Sequence, residues 1–216
     1  YESFRNKMTK PALILKTQSS SSSIIDRYQV EEKIRFIRKK VGTANLPNIY
    51  LLHGEINDKE INHLYNHSKV KAMVNLTRGE GFGRPLLEFT TTGKPIIASG
   101  WSGHIDFLRK DLNVLIGGKL EQIHPSAVQK EMLLADSKWF TFDFNEGKRA
   151  FKDVYKHYKK YINLSRKQRT VTNNYFSFNK MQELLSNIVK KYVPFFPVEN
   201  QFVAPLPSKI ELPKIK

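Results

Sequence analysis

The stretch RGEGFGRPLLE, residues 78–88, holds the side chains of this sequence best suited to ligand chemistry. Its two glutamates, Glu80 and Glu88, stand eight positions apart, and carboxylates accept hydrogen bonds from hydroxyl groups, which sugars and ribose present in pairs. The glycines around Glu80 allow the backbone to approach a ligand closely. A helix predicted to begin at Arg84 would offer unpaired N–H groups and a positive dipole end to phosphate. These features together describe a site for a nucleoside diphosphate sugar.

The spacing of the two glutamates is weak support by itself. With 20 acidic residues in 216, one lies eight positions after another roughly one time in ten by chance. Two structural alternatives therefore stay open. Glu88 could be an ion-pair partner of Arg78 or Lys94, and Glu80 could be a solvated loop acid.

Short apolar runs alternate with helical patterns along the chain. The runs that predict strands are 11–17, 48–53, 71–77, 94–99 and 113–118. Ser23 and Gly42 delimit a predicted helix from Ile24, Asn57 and Glu60 resemble a capping box, and Gly93 ends the helix from Arg84. A short helix is predicted over 105–110. This alternation implies crossover connections and a parallel sheet covered on both faces, so the predicted fold class is α/β, doubly wound.

The part of the chain after Asp143 is predicted to be helical and then extended. One long helix carries apolar residues on one face and basic residues on the other (Lys148, Arg149, Lys152, Lys156, Lys159 and Lys160). A last helix is predicted over 178–191. Because residues 194–216 hold five of the ten prolines, we expect one domain over 1–193 and an extended tail over 194–216.

In an open parallel sheet, ligands bind outside the carboxyl ends of the strands, and the segment RGEGFG follows such an end. Lys16 ends the first strand at the same edge, where it would contact a diphosphate or be a solvated lysine. His104 follows Gly103 at a helix start, where it would face a donor sugar or serve as a capping or packing histidine. The six histidines show no ligand spacing, so we expect no metal site.

The composition limits the class of partner. A net charge of +16 favours anionic partners: nucleic acid, acidic lipid surfaces, acidic glycans or phosphorylated small molecules. No apolar run approaches the roughly 18 residues that span a bilayer, and the absence of cysteine fits a cytoplasmic protein. The dense lysines of 148–160 favour peripheral contact with an anionic membrane or an acidic glycan. Nucleic acid is the weaker expectation, because no recognition-helix, RNP or zinc pattern is present.

The run VNLTRGEGFGRPLLEFTTTGKPIIASGWSGHIDFL, which begins at Val74, closely resembles the donor-binding core of the retaining GT-B glycosyltransferases of family four. That family's pattern is an apolar strand, S/T-R-x-E-G-F-G, a second glutamate eight positions on, G-K-P-V-I-A-S and a G-G-x-x-D/E loop. The matching residues are Thr77, Arg78, Glu80, Gly81, Phe82, Gly83, Glu88, Gly93, Lys94, Pro95, Gly103 and Asp106. The resemblance weakens towards residues 4 and 191.

The resemblance implies a role for each matched residue within a Rossmann-like donor domain. Glu88 would hold the ribose hydroxyls and Glu80, the residue assigned to catalysis, a hydroxyl of the transferred sugar. Amides of Phe82 and Gly83, beside Gly81, would touch that sugar. The remaining implied donor contacts are amides near Arg84 and Pro85 for the distal phosphate and the turn Gly54, Glu55 and Ile56 for the base. Gly103 of the matched loop is placed with the donor-binding residues, and His104 beside it keeps the two alternatives given above. No tightly held metal or other cofactor is implied, because positive groups and the helix start would stabilise the leaving diphosphate.

Two parts of the family pattern would lie before Tyr1. These are the first strand of the domain, followed by an Arg and a Lys that grip the diphosphate, and a separate N-terminal domain that binds the acceptor. The resemblance therefore implies the nucleotide-sugar half of a retaining glycosyltransferase, truncated at its N-terminus and inactive alone. The alternatives are a basic nucleic-acid-binding protein, or a sugar-nucleotide epimerase or non-catalytic binding module of the same fold.

Overall fold

The computed structural model describes residues 1–17, 23–42, 45–128 and 133–194, which divide between two compact units, Tyr1–Ser177 and Phe178–Lys216. The predicted domain boundary at 193/194 stays a prediction, and most of the predicted tail lies outside the described residues. In the first unit the strands are β1 (Leu13–Thr17), β2 (Ile49–His53), β3 (Met73–Asn75), β4 (Ile96–Ser99), β5 (Val114–Ile116), β6 (Gly118–Gln122) and β7 (Lys138–Phe142). Its helices are α1 (Ile24–Val41), α2 (Asp58–Asn66), α3 (Arg84–Thr90), α4 (Phe144–Lys156) and α5 (Tyr158–Tyr175). The described part of the second unit contains α6 (Phe178–Tyr192).

The predicted α/β class with parallel strands is confirmed. Strands β1 and β2 form one parallel pair, and β3, β4 and β5 form a parallel sheet in that order. The residues predicted to begin and end the helices form the expected capping hydrogen bonds and turns. The Ser23 hydroxyl accepts a hydrogen bond from the Asp26 amide, and Gly42 ends α1 with φ 70°. Asn57 and Glu60 form the complete capping box that begins α2.

The three-stranded sheet is covered on both faces, as a parallel sheet requires. Successive residues of β4 point to opposite sides, so Ile96 and Ala98 pack with Leu86 and Phe89 of α3, whereas Ile97 packs with Ile116 and Val154. Both clusters are fully buried hydrophobic cores. Helix α3 therefore lies on one face of the sheet and α4 on the other, and the loops at the carboxyl ends of β3 and β4 rest on a rigid base.

Helix α5 is fixed to the α3 side of this core by buried polar contacts. The Gln168 side chain, 1% exposed, donates to the Phe107 carbonyl at 2.9 Å and accepts from the Arg109 amide at 3.1 Å. Thr90 of α3 donates to the Thr172 hydroxyl at 2.8 Å. Each of these buried polar groups is paired, which burial in an apolar surrounding demands.

Three features of the fold correct the sequence predictions. The single long helix after Asp143 is interrupted at His157, whose φ of −111° and ψ of 37° are not helical. The short helix predicted over 105–110 is a 3-10 helix, Gly103–Asp106. The strand predicted to end at Gly118 ends at Ile116, and Gly118 begins β6, which pairs antiparallel with the unpredicted strand β7.

Candidate functional site

The loop RGEGFG lies at the carboxyl end of β3, next to the loop Gly100–His104 that follows β4. Hydrogen bonds hold the strand ends together below these loops. The Ser99 hydroxyl donates to the Thr77 carbonyl at 2.9 Å, and the Gly100 amide donates to the Ile116 carbonyl at 2.7 Å. The predicted ligand edge of the sheet therefore consists of two adjacent loops, and the strand ends below them are joined by hydrogen bonds.

The backbone of Glu80 is fixed by the neighbouring loop. The Ser102 hydroxyl accepts from the Glu80 amide at 2.8 Å and donates to the Glu80 carbonyl at 2.6 Å. The Gly103 amide donates to the same carbonyl at 3.0 Å. Both main-chain groups of Glu80 are satisfied within the protein, so only its half-buried carboxylate is available to a ligand.

Two glycines permit the close packing of the loops. A Cβ on Gly103 would overlap the carbonyl of Gly81. Gly83 has φ 90°, in the left-handed region that favours glycine, and a Cβ there would lie 2.9 Å from the Cβ of His104 and 3.3 Å from the Cγ of Glu80. The glycines therefore allow backbone to pack on backbone and bring Glu80 against the start of α3.

The turn into α3 leaves several amides without a partner. Within the described residues, the backbone N–H groups of Gly81, Phe82, Gly83 and Arg84 donate no hydrogen bond to the protein. Such groups at a helix start attract anions. Pro85 has no N–H, so it cannot be one of the predicted phosphate donors, and the next amide, that of Leu86, already donates to the Gly83 carbonyl.

Glu88 stands one turn into α3 and pairs with Arg84, not with the predicted alternatives Arg78 or Lys94. Arg84 Nε lies 2.9 Å from Glu88 Oε1, and the two side chains are 77% and 43% exposed. An exposed i,i+4 pair contributes only about 0.3–0.5 kcal/mol. Ligand hydroxyls could therefore displace Arg84 from Glu88 at little cost.

The alternative partners of Glu88 are engaged elsewhere. The Lys94 ammonium donates to the carbonyls of Tyr65 and His67 at 2.6 and 2.8 Å, and burial lowers its pKa. The Arg78 guanidinium lies over the ring of Trp139, 3.7 Å from its centroid. Burial raises the pKa of the Tyr65 phenol, and the negative charge of Glu88 raises it further.

His104 is not placed to face a ligand. Its side chain is fully buried, with Nε2 2.6 Å from the Ser99 carbonyl. Because a carbonyl only accepts, Nε2 carries the proton, and the buried Nδ1 has no partner among the described residues. His104 belongs to the layer beneath the loop, which favours the packing alternative for this residue.

The remaining predicted site residues lie at the other parallel pair. Lys16 is an exposed residue near the end of β1. Gly54, buried with φ 97°, follows β2 and turns the chain into Glu55 and Ile56. Within the described part of the chain, no hydrogen bond or ion pair joins Gly54, Glu55 or Ile56 to Glu80 or Glu88.

Aromatic residues of β7 border the loops, and the sequence reasoning missed them. The Phe140 amide donates to the Arg78 carbonyl at 3.0 Å, and the Phe140 ring stacks on Trp101 with centroids 6.1 Å apart. The run KWFTF, residues 138–142, is rich in aromatic residues, which is typical of a strand and could have indicated β7. Ser102, which holds Glu80, has no such signal.

The described residues contain no cluster of three or more His, Asp or Glu able to hold a metal ion. None of the helices in the described ranges is long and apolar enough to cross a membrane.

Comparisons with known proteins give one family match and several solved structures with a similar fold. Residues 25–122 match the family model described as glycosyl transferases group 1. No curated protein matches the chain. Solved structures with a similar fold include sucrose-phosphate synthase from Thermosynechococcus elongatus (14% identity, TM-score 0.57, 83% of this chain and 38% of that chain). A glycosyltransferase from Rickettsia africae is 16% identical with a TM-score of 0.55, and the match covers 88% of this chain and 42% of that chain. A GtfA/B complex is 13% identical with a TM-score of 0.50, and the match covers 86% of this chain and 37% of that chain.

At these identities the structural likeness shows the fold alone, and this chain spans about two fifths of the length of each neighbour. The family match covers the segment that contains Glu80, Glu88, Ser102 and Gly103. Over residues 25–122 the chain is similar in sequence to the glycosyl transferases group 1, and its fold is similar to that of a solved glycosyltransferase.

Proposed function

We propose that this chain is the donor-binding domain of a retaining glycosyltransferase that transfers a sugar from a nucleoside diphosphate sugar to an acceptor hydroxyl. The observation that carries the proposal is the fixed loop at the carboxyl ends of β3 and β4. It combines a restrained Glu80, a row of amides without protein acceptors and the exposed carboxylate of Glu88. Diphosphate, sugar and ribose each meet a group of matching chemistry.

In the proposed complex Glu88 exchanges Arg84 for the ribose hydroxyls, and Glu80 accepts a hydrogen bond from the transferred sugar. The free amides of Gly81 to Arg84 face the sugar and the distal phosphate. They supply the fixed positive dipoles that stabilise negative charge developing on a leaving diphosphate. Within the proposal, the acceptor attacks on the face from which the phosphate departs, and that phosphate takes the proton. No tightly bound metal is proposed.

Acceptor binding is assigned to a separate domain, because this chain spans only about two fifths of its structural neighbours. Lys16, Gly54, Glu55 and Ile56 remain proposed donor contacts from β1 and β2. The isolated chain is expected to bind donor weakly and to transfer no sugar.

The test is calorimetry of the full 216-residue chain with UDP-glucose, GDP-mannose and ADP-glucose. Glu88→Gln replaces charge-assisted hydrogen bonds to ribose with neutral ones, which should weaken the bound donor about tenfold. The melting temperature should move by less than about 2 °C, because the lost ion pair is exposed. Glu31→Gln is the matched control, since Glu31 also pairs with arginines on a helix surface, in α1. If none of the sugars binds at millimolar concentration, or both variants bind equally well, the donor site is not here.

We further propose that the basic face of α4 and α5 contacts an anionic membrane surface. Residues 147–175 hold nine basic side chains and one acidic side chain, Asp153. An open groove of about 500 Å³ on this face is lined by Arg149, Lys152, Lys156 and His157, together with Glu146 and Asp153. Exposed Tyr155 adds an aromatic side chain of the kind enriched at membrane interfaces.

Sedimentation with phosphatidylserine vesicles tests this partner. The chain should bind these vesicles and release at high salt, and Lys152→Glu with Lys156→Glu should abolish binding. Lys39→Glu with Lys40→Glu on α1 is the matched charge control. Equal loss in both variants, or binding to duplex DNA in preference to the vesicles, would contradict the proposal.

A further inference from the structure

The backbone of Ser102 has a conformation that serine rarely adopts. Its φ is 85° and its ψ is −171°, and Ser102 is the only non-glycine residue with positive φ in the described ranges. This region of φ and ψ is populated almost only by glycine, and a side chain there persists only where surrounding contacts force it. The contacts of Ser102 therefore indicate what the strain serves.

Both hydrogen bonds of the Ser102 side chain lead to Glu80. The hydroxyl of Ser102 accepts a hydrogen bond from the Glu80 amide at 2.8 Å and donates one to the Glu80 carbonyl at 2.6 Å. One side chain thus satisfies both main-chain groups of a residue 22 positions away. Because Ser102 is partly buried, water competes poorly for these bonds, and a hydroxyl lost here leaves the Glu80 amide without a partner.

Ser102 occupies a position at which glycine would be expected. Ser102 stands where the G-G-x-x-D/E pattern that this sequence resembles has its first glycine, followed by Gly103 and Asp106. Glycine would adopt this backbone without strain but has no hydroxyl. Serine accepts the strain and gains two hydrogen bonds to Glu80.

We propose that Ser102 is a positioning residue for Glu80, and this inference rests on the proposed function. The clamp fixes the main chain from which the Glu80 carboxylate projects, so the carboxylate is preset to meet a hydroxyl of the donor sugar. The Glu80 Cγ lies close to the start of α3, 3.3 Å from the position that a Cβ on Gly83 would take. A carboxylate held in advance loses little entropy when the sugar binds, so the clamp contributes to donor affinity without touching the donor.

Two substitutions separate positioning from a purely structural role. Ser102→Gly removes the clamp and the strain together, so the melting temperature should stay within about 3 °C of the parent protein. Ser102→Ala removes the clamp and keeps the strain, so the melting temperature should fall by about 4–8 °C. Donor affinity should fall about tenfold in both variants, because both lose the clamp. Thr170→Ala is the matched control, since its hydroxyl donates to the Arg166 carbonyl on the exposed surface of α5.

The measurements are melting temperature, amide hydrogen exchange of Glu80 and calorimetry of the full chain with UDP-glucose, GDP-mannose and ADP-glucose. Glu80 should exchange faster in both Ser102 variants than in the parent and in Thr170→Ala. If affinity follows the melting temperature, so that Ser102→Gly binds like the parent, Ser102 is structural only and the inference is overturned. Unchanged exchange of Glu80 also overturns it. If the parent binds none of the sugars, the proposed function fails and the positioning role with it, whereas the exchange rates still show whether the clamp exists.

Discussion

Replacing Gly103 by alanine is the most direct perturbation of the packing between the two loops. The φ of Gly103 lies outside the left-handed region, so alanine fits the backbone there. The added methyl group, however, would overlap the Gly81 carbonyl oxygen, and it would lie 2.6 Å from the Gly81 carbonyl carbon and 3.0 Å from the Glu80 oxygen. All three atoms are main chain, so no rotation of a side chain can relieve the contact.

The size of the effect follows from the space that the methyl group needs. Ordinary contact between an aliphatic carbon and a carbonyl oxygen is about 3.3–3.6 Å, so the loop 80–83 must move away by more than about 1 Å. A misplacement of about 1 Å in a catalytic site can lower the reaction rate about 100-fold, and we expect the same misfit to lower donor affinity about 10- to 100-fold. Overpacking should cost about 1–3 kcal/mol of unfolding free energy, or a melting temperature lower by about 3–10 °C.

Calorimetry with the three nucleotide sugars and thermal unfolding followed by circular dichroism measure the two effects. Gly79→Ala is the matched control, because Gly79 lies in the same loop with φ outside the left-handed region and nothing within 4 Å of an added Cβ. The control should bind donor and unfold like the parent. Unchanged stability of Gly103→Ala would refute the packing of the loops. Reduced stability with unchanged affinity would refute the assignment of this loop to the donor.

Two further predictions concern the support of the site. Gln168→Leu should lower the unfolding free energy by about 2–4 kcal/mol in denaturant titrations, because it leaves the Phe107 carbonyl and the Arg109 amide without their partner. The control Lys167→Leu, at an exposed neighbouring position, should change the unfolding free energy little. Equal effects of the two substitutions would argue against the buried network. Burial and the hydrogen bond to Asp153 raise the pKa of Tyr161 to about 12. A raised tyrosine pKa stabilises the fold below the unfolded value of about 10, and this contribution is lost as the pH rises from about 10 through about 12. Melting temperatures of Tyr161→Phe should therefore converge with those of the parent over that range, with Tyr192→Phe on α6 as the control; a constant difference would contradict the raised pKa.

The parts of the fold that the sequence predicts are those whose signals are local. The cap at Ser23, the capping box of Asn57 and Glu60 and the stop at Gly42 each involve residues within four positions of one another. Strands β1 to β5 are short apolar runs between such signals. The break at His157 was missed because the apolar pattern continues through it. It coincides with the Asp153 carboxylate, which binds both His157 and Tyr161 across the break.

The candidate site was predictable in its chemistry but not in its internal contacts. Glu80, Glu88 and the glycines are recognisable by residue type and spacing, whereas their partners come from other segments. Glu88 pairs with Arg84, which the i,i+4 spacing makes natural. Glu80 is held by Ser102, and nothing in the local sequence around residue 102 reports which backbone its hydroxyl meets.

Arg78 shows why such partners decide the behaviour of a motif. Its guanidinium lies on the ring of Trp139 and its carbonyl receives the Phe140 amide, so both ends of the residue are attached to β7. The Arg78 guanidinium is thus engaged by β7, and among the described residues Glu88 forms its ion pair with the exposed Arg84. The antiparallel pair β6 and β7 therefore does more than extend the fold. By holding the Arg78 guanidinium over Trp139, it engages one of the two basic side chains that the sequence offers as partners of Glu88, and in the proposed complex the donor hydroxyls then displace only the exposed Arg84.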